Sequence, residues 1–358
     1  MVSLVSCRAA RRAIVVMSAE REDGRVSNPE RHPDEVICES RRAGEVELMT
    51  PREVPLGGPR AMTVRRTLPQ RHRSLIGAWC FVDHYGPDEV SESGGMVVAP
   101  HPHTGLQTVS WLFTGEIEHR DSAGNVAMVR PGEVNLMTGG HGISHSEVST
   151  PATTVLHGAQ LWVALPDADR DAASGFEHYA PPEVSGEDWR ARVFLGSLLG
   201  DSSPVATFTP LLGAELVLDP GARLTVAVDE SYEHGVLVDT GSVTVADLDS
   251  TSGDLAYVPT GRSELALTAG PDGARVLVLG GPPFGESIVM WWNFVGRTHE
   301  EIVDYRAAWQ EQITDATSGE VLTDSRRVAD GRFGVVPDQP LPPIPAPSLP
   351  NARLRERS

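Results

Sequence analysis

The segment APHPHTGLQTVSWLFTGEIEHRD, residues 99–121, sets His101 and His103 two positions apart around a proline, at the start of a strand-like run. Alternate side chains of a strand share a face, so this pair can aim two imidazoles into one interior. GGHGISHSEVS repeats the arrangement with His145 and Glu147, behind a turn containing Gly139, Gly140 and Gly142. Those glycines let the backbone bend sharply. If the two strands face each other, three neutral imidazoles and one carboxylate converge on a point. Such donors suit a transition-metal ion with positions left for water or substrate. One His-x-His pair is a common accident of β-structure, and the second pair in the same repeat is what gives the pattern weight. His119, where EIEHRD enters a hairpin turn, is placed to hydrogen-bond near the ion rather than hold it. His141 reads as a rim residue of the glycine turn, and His84 and His157, beside strands, as partners for buried backbone groups. Gln160 and Trp162 alternate along one strand, open to either pocket lining or packing.

Aiming these side chains takes a rigid β-framework, and the chain is patterned as one. Short apolar runs such as GAWCFVDHYG, QTVSWLF, NVAMV, EVNLMT and HGAQLWVAL follow one another with Gly, Pro, Asp or Asn between them. After a looser stretch the pattern restarts with RVFLGS, AELVLDPGARLTVAV, HGVLVDTGSVTVADL and RVLVLGG. This predicts an all-β chain of two similar barrels in tandem. The expected boundaries are a flexible amino-terminal extension over 1–44, a metal-binding barrel over 45–165, and a linker over 166–190. A second barrel follows over 191–296, then a helix and proline-rich tail over 297–358. The second barrel offers only His234 in the comparable region, so the metal is expected in the first alone. THEEIVDYRAAWQEQ is the one clear helix. Thr298 and Glu301 form a capping box, and Ile302, Tyr305 and Trp309 share the face that would pack it on a barrel as lid or brace. The tail VVPDQPLPPIPAPSLPNARLRERS reads as an extended segment, draped on the fold or disordered. Neither end is expected to carry chemistry.

Charge and cysteine usage narrow the setting. Lys and Arg number 30 against 49 Asp and Glu, a net charge of -19 that repels a phosphate backbone and argues against direct nucleic-acid binding. Cys7, Cys38 and Cys80 show neither zinc-site nor disulfide spacing, which suits a reducing compartment, and the cytoplasm is expected. The apolar run in MVSLVSCRAARRAIVVMSAE is too short for a signal peptide or a membrane span, and Met17 is an alternative start.

HPHTGLQTVSWLFTGEIEHRDSAGN, PGEVNLMTGGHGISHSE and LHGAQLWVALP resemble the signature of the pirin family, a branch of the bicupins, from about Gly57 to the helix near Trp309. The resemblance implies two stacked cupin barrels with one mononuclear non-haem iron in the first. Its ligands would fall on His101, His103, His145 and Glu147, and other divalent transition metals could take its place. It implies quercetin 2,3-dioxygenase activity on a flavonol, with Glu147 as ligand and, on shifting off the ion, as general base. The family also contains iron-dependent partners of transcription regulators and metabolic enzymes, so a redox-sensing regulatory protein is the alternative. The 6% aromatic content gives little sign of a flavonoid-stacking cleft. A monomer is expected.

Overall fold

Burial along the strands explains where they pack. Met62–Leu68 alternates, burying Met62 and Val64 and exposing Thr63, whereas Leu106–Thr114 is buried at every position but its last. Such a run belongs inside a layered structure rather than on its surface. The computed structural model describes residues 45–56 and 62–357, and the extension expected over 1–44 lies outside them. Seven antiparallel strands run in the order Gly175–Tyr179, Val134–Thr138, Leu106–Thr114, Val155–Ala164, Trp79–Glu89, Met62–Leu68 and Arg52–Leu56. With a four-stranded sheet ordered Val97–His103, Ile143–Ser149, Ile117–Asp121 and Val126–Val129, they form the first barrel.

The second barrel is built on a nine-stranded sheet around Glu233–Val245, Glu264–Gly281 and Leu212–Leu218. Strand exchange ties it to the first. Glu47–Met49 precedes the first barrel in sequence yet pairs with Leu255–Val258 of the second. Within 166–190, Gly175–Tyr179 extends the first barrel through Val134–Thr138, and Val184–Gly186 extends the second through Trp189–Leu195. Trp79, Trp111, Phe194, Leu237 and Leu277 form one buried cluster from both barrels. Trp111 stacks on Phe194 at 4.5 Å and donates its indole N–H to Glu215 Oε2 at 2.7 Å, so its polar end is satisfied in the core.

The helix His299–Ile313 carries the expected Thr298 and Glu301 capping box and buries Ile302, Tyr305 and Trp309. It packs with Phe294, Phe333 and Ala346, bracing the two-stranded hairpin Val289–Trp291 and Phe294–Gly296. The tail is draped on the fold: Ile344 N donates to Pro100 O at 2.8 Å and Trp309 Nε1 to Ile344 O at 2.8 Å. Farther on, Arg306 Nε donates to Pro347 O at 2.6 Å, and Ile288 and Arg357 exchange backbone hydrogen bonds. No helix among the described residues is long and apolar enough to cross a membrane.

Candidate metal centre

Strands Val97–His103 and Ile143–Ser149 pair antiparallel, with His145 opposite His101 and Ile143 opposite His103. A register shift after His145 sets Glu147 opposite Val98, while on its other edge Glu147 stands opposite His119. The turn before this strand depends on Gly140, at φ +49°, where a β-carbon would lie 1.9 Å from Ala172 O. Gly105, at φ +66°, would place a β-carbon 2.3 Å from Val295 O. Its bare backbone therefore lets the Val289–Gly296 hairpin settle against the strand that carries His103.

That hairpin also orients the ring. Asn293 O accepts a hydrogen bond from His103 Nδ1 at 3.1 Å, and Ala99 O accepts one from His101 Nδ1 at 2.9 Å. Each carbonyl fixes the proton on Nδ1 and leaves Nε2 as a bare lone pair. For His145 the same result comes through a relay. Asp121 Oδ2 lies 3.2 Å from His119 Nε2, and His119 Nδ1 lies 3.4 Å from His145 Nδ1. With its Nε2 proton donated to Asp121, His119 accepts the His145 Nδ1 proton. Three Nε2 lone pairs then face inward, two of them, on His103 and His145, 3.1 Å apart. Lone pairs at that distance repel unless a cation lies between them, so the donor chemistry fits a metal ion.

Electrostatics point the same way. Burial pushes His101 down to about 4 and His103 and His145 well below the usual imidazole range, keeping all three neutral. Burial pushes Glu147 up, against the opposing pull of His119 and a hydrogen bond from Ser110. Ser110 has one hydroxyl proton for two acceptors, Glu147 Oε1 at 3.2 Å and Gln160 Oε1 at 3.0 Å. Turning the Gln160 amide supplies a donor and leaves that proton for Glu147. His101, His103 and His145 form one group whose nitrogens lie within 4.8 Å of one another, and His119, His145 and Glu147 form a second. His145 belongs to both.

The cavity in front of these groups holds about 290 Å³, and no Arg among the described residues lines it. Gln160 and Trp162 both line it, with Phe81 stacked on Trp162 at 4.1 Å and His103 edge-on to Trp162 at 5.1 Å. The low aromatic content therefore misleads: Phe81, Trp162 and Trp292 gather at this one place. Trp292 is held at φ +54°, a left-handed conformation that bulky residues adopt only under constraint. Ile344 of the tail also lines the cavity, and Gln339 Nε2 donates to Ser146 Oγ at 3.0 Å beside it. The proline-rich tail, from which no chemistry is expected, thus forms part of the cavity wall.

His84 and His157 do not satisfy backbone groups as expected. Their Nε2 atoms lie 2.7 and 2.6 Å from Oδ1 of Asp239, which the second barrel brings up against the first. His141 is exposed in the glycine turn, and His234 is buried in the second barrel with no hydrogen-bond partner among the described residues on either nitrogen. Asp121, Asn293, Trp292 and Ile344 escaped the sequence reading. Only Asp121 left a signal, two positions beyond His119, in the same spacing as the other pairs.

Two stacked barrels with convergent imidazoles in the first alone define a bicupin. A family model described as Pirin matches residues 61–163, and another, described as the Pirin C-terminal cupin domain, matches 213–314. The chain belongs to the pirin family. It is 42% identical over 314 residues to a Pseudomonas aeruginosa protein that carries the provisional name quercetin 2,3-dioxygenase, covering 87% of this chain and 93% of that one. A Caulobacter vibrioides pirin-like protein is 32% identical over 272 residues, 72% of this chain and 93% of its own. The crystal structure of a quercetin 2,3-dioxygenase from Acinetobacter baumannii shares the fold at a TM-score of 0.77 and 36% identity, covering 87% of this chain and 97% of that one.

Proposed function

We propose that this protein is a metal-dependent dioxygenase of the quercetin 2,3-dioxygenase type, acting on a compound that presents adjacent oxygens on an unsaturated ring. The observation that supports this most is the set of three inward imidazoles and a buried carboxylate at an aromatic-lined cavity with no Arg among its described lining residues. His101, His103, His145 and Glu147 would hold the ion. Iron is the ion proposed, since nitrogen and oxygen donors without thiolate suit it. When bound, it supplies the Lewis acidity and redox capacity that dioxygen chemistry demands.

The chain's own residues account for the rest. Asn293 O, Ala99 O and the Asp121–His119 pair hold the three rings in one tautomer each. Phe81, Trp162 and Trp292 supply apolar walls that bind a planar ring and exclude water. Glu147, its proton affinity raised by burial, can take the proton of a substrate hydroxyl, with Ser110 steadying the carboxylate between turnovers. The names of the Pseudomonas and Acinetobacter proteins make a flavonol the first compound to try. Metal analysis of the purified protein with oxygen uptake on quercetin and simpler catechols tests the reading. About one ion per chain and substrate-dependent uptake are expected; protein that holds no ion after anaerobic iron loading, or consumes no oxygen with any of them, overturns it.

A further inference from the structure

The carboxyl-terminal tail is built into the wall of the metal cavity. From Gln339 to Ile344 the chain reads QPLPPI, a segment whose prolines favour an extended, already ordered backbone. Hydrogen bonds pin it from both sides. Ser325 Oγ donates to Leu341 O at 2.6 Å, Gln339 Nε2 donates to Ser146 Oγ on the strand that carries His145 and Glu147, and Ile344 N donates to Pro100 O on the strand that carries His101 and His103. On the far side Trp309 Nε1 holds Ile344 O, and Gln310 Oε1 accepts from Ala346 N at 2.7 Å. Ile344 is thereby fixed as a half-buried apolar wall residue, packed near Val98 and Leu112.

The space this leaves is small. Pockets that enclose drug-sized ligands run from roughly 300 to 1,000 Å³, and this cavity, at about 290 Å³, lies at the floor of that range. We propose that Ile344 is a specificity-determining residue that limits the metal cavity to a single ring bearing two adjacent oxygens, a catechol or a similar enediol, so that a three-ring flavonol is not enclosed whole. The ring sits among Phe81, Trp162 and Trp292 with its oxygens toward His101, His103 and His145, and the proposal rests on the reading of this site given above. Larger ligands bind only by displacing the strap, which costs the hydrogen bonds just described.

Anaerobic titration of the metal-loaded full chain with catechol and with quercetin, followed by quenching of tryptophan fluorescence and by calorimetry, tests it alongside metal content. Wild type is expected to bind catechol at least tenfold more tightly than quercetin. Ile344→Ala opens the wall and should narrow that ratio fivefold or more, mainly by tightening quercetin, with metal content unchanged. Ile344→Trp fills the cavity and should weaken catechol tenfold or more. Ile344→Val, which removes one methylene group, should shift the ratio in the same direction as alanine by a smaller step and guards against a folding defect. Quercetin binding as tightly as catechol in wild type, with no response to Ile344→Ala, overturns the size limit and leaves the dioxygenase reading standing. Failure of both compounds to bind protein that carries its metal overturns both.

Discussion

At His101, His103 and His145 three imidazoles turn ring nitrogens toward one another, and no guanidinium among the described residues lines the cavity in front of them. At His84 and His157 the Nε2 atoms face Asp239 instead, and the cations are already present. Arg275 Nε lies 2.5 Å from Asp239 Oδ2, and an Arg65 nitrogen lies 3.5 Å from His84 Nε2. Both clusters bring metal-ligating side chains within 4.8 Å of one another, so residue type and distance do not tell them apart. What separates them is charge. Burial would push Asp239 up, but the facing His157 and His84 rings outweigh it and hold the carboxyl below its usual range. A second divalent ion among two guanidiniums would meet strong repulsion, so this cluster serves as an ionic joint between the barrels. His101, His103 and His145 have the opposite arrangement, with donors and no guanidinium among the described residues lining their cavity.

Removing one imidazole from each cluster gives the largest contrast. His145→Ala should reduce bound metal from about one ion per chain to less than a tenth of that and abolish turnover, while circular dichroism stays native. Two barrel cores rather than the ion hold the fold. His84→Ala should leave metal content unchanged. Elemental analysis of both variants decides the matter, and full occupancy in His145→Ala would remove that residue from the ligand set.

Within the metal site, Glu147→Gln separates holding the ion from moving a proton. The amide keeps the shape and one oxygen but loses charge and basicity. Turnover should fall by about 10²-fold or more, the loss usual for a general base, while metal content falls far less. Wild-type oxygen uptake in this variant would end the base assignment.

At the joint, Asp239→Asn should destabilise the chain by about 3–5 kcal/mol, the cost of leaving buried charge unpaired, with no change in bound metal. The sign with pH follows from the depressed carboxyl. The stabilising charge is fully present above the ordinary aspartate range and is lost as pH falls through the lower folded value. Denaturant titrations should therefore show the variant's deficit at pH 7 and its shrinkage in strong acid.

How much of this was legible beforehand depended on sequence distance. His101 with His103, and His145 with Glu147, are local pairs whose shared faces follow from strand geometry, and the Thr298 capping box is equally local. Asp239 lies 155 positions from His84, and no periodicity links them. Asn293 acts through a backbone carbonyl that any residue could supply, so its identity carries no trace of its role. Ile344 sits in a proline-rich run with no hydrophobic period, where apolar residues look incidental until the helix and the ligand strand hold them in place. Glu47–Met49 went to the wrong barrel in the sequence-based division because a three-residue strand gives no sign of its partner.

His234 supplies a third environment that sharpens the comparison, a buried imidazole that makes no hydrogen bond among the described residues and feels only the opposing pull of Asp229. Burial pushes it down to about 4. The unfolded chain takes up the proton near 6.5, so between that value and about 4 the unfolded state binds more protons and stability falls as pH falls. His234→Leu removes this titration. Whatever the substitution costs in packing is the same at every pH, and both proteins carry the same metal site, so the difference between two pH values isolates the imidazole. Relative to wild type, the variant's unfolding free energy should improve by about 2 kcal/mol on going from pH 8 to pH 5. Urea titrations at the two pH values measure it. A difference that does not change with pH would mean that His234 meets a partner or a proton in the folded chain, and would place it with His84 rather than apart from both clusters.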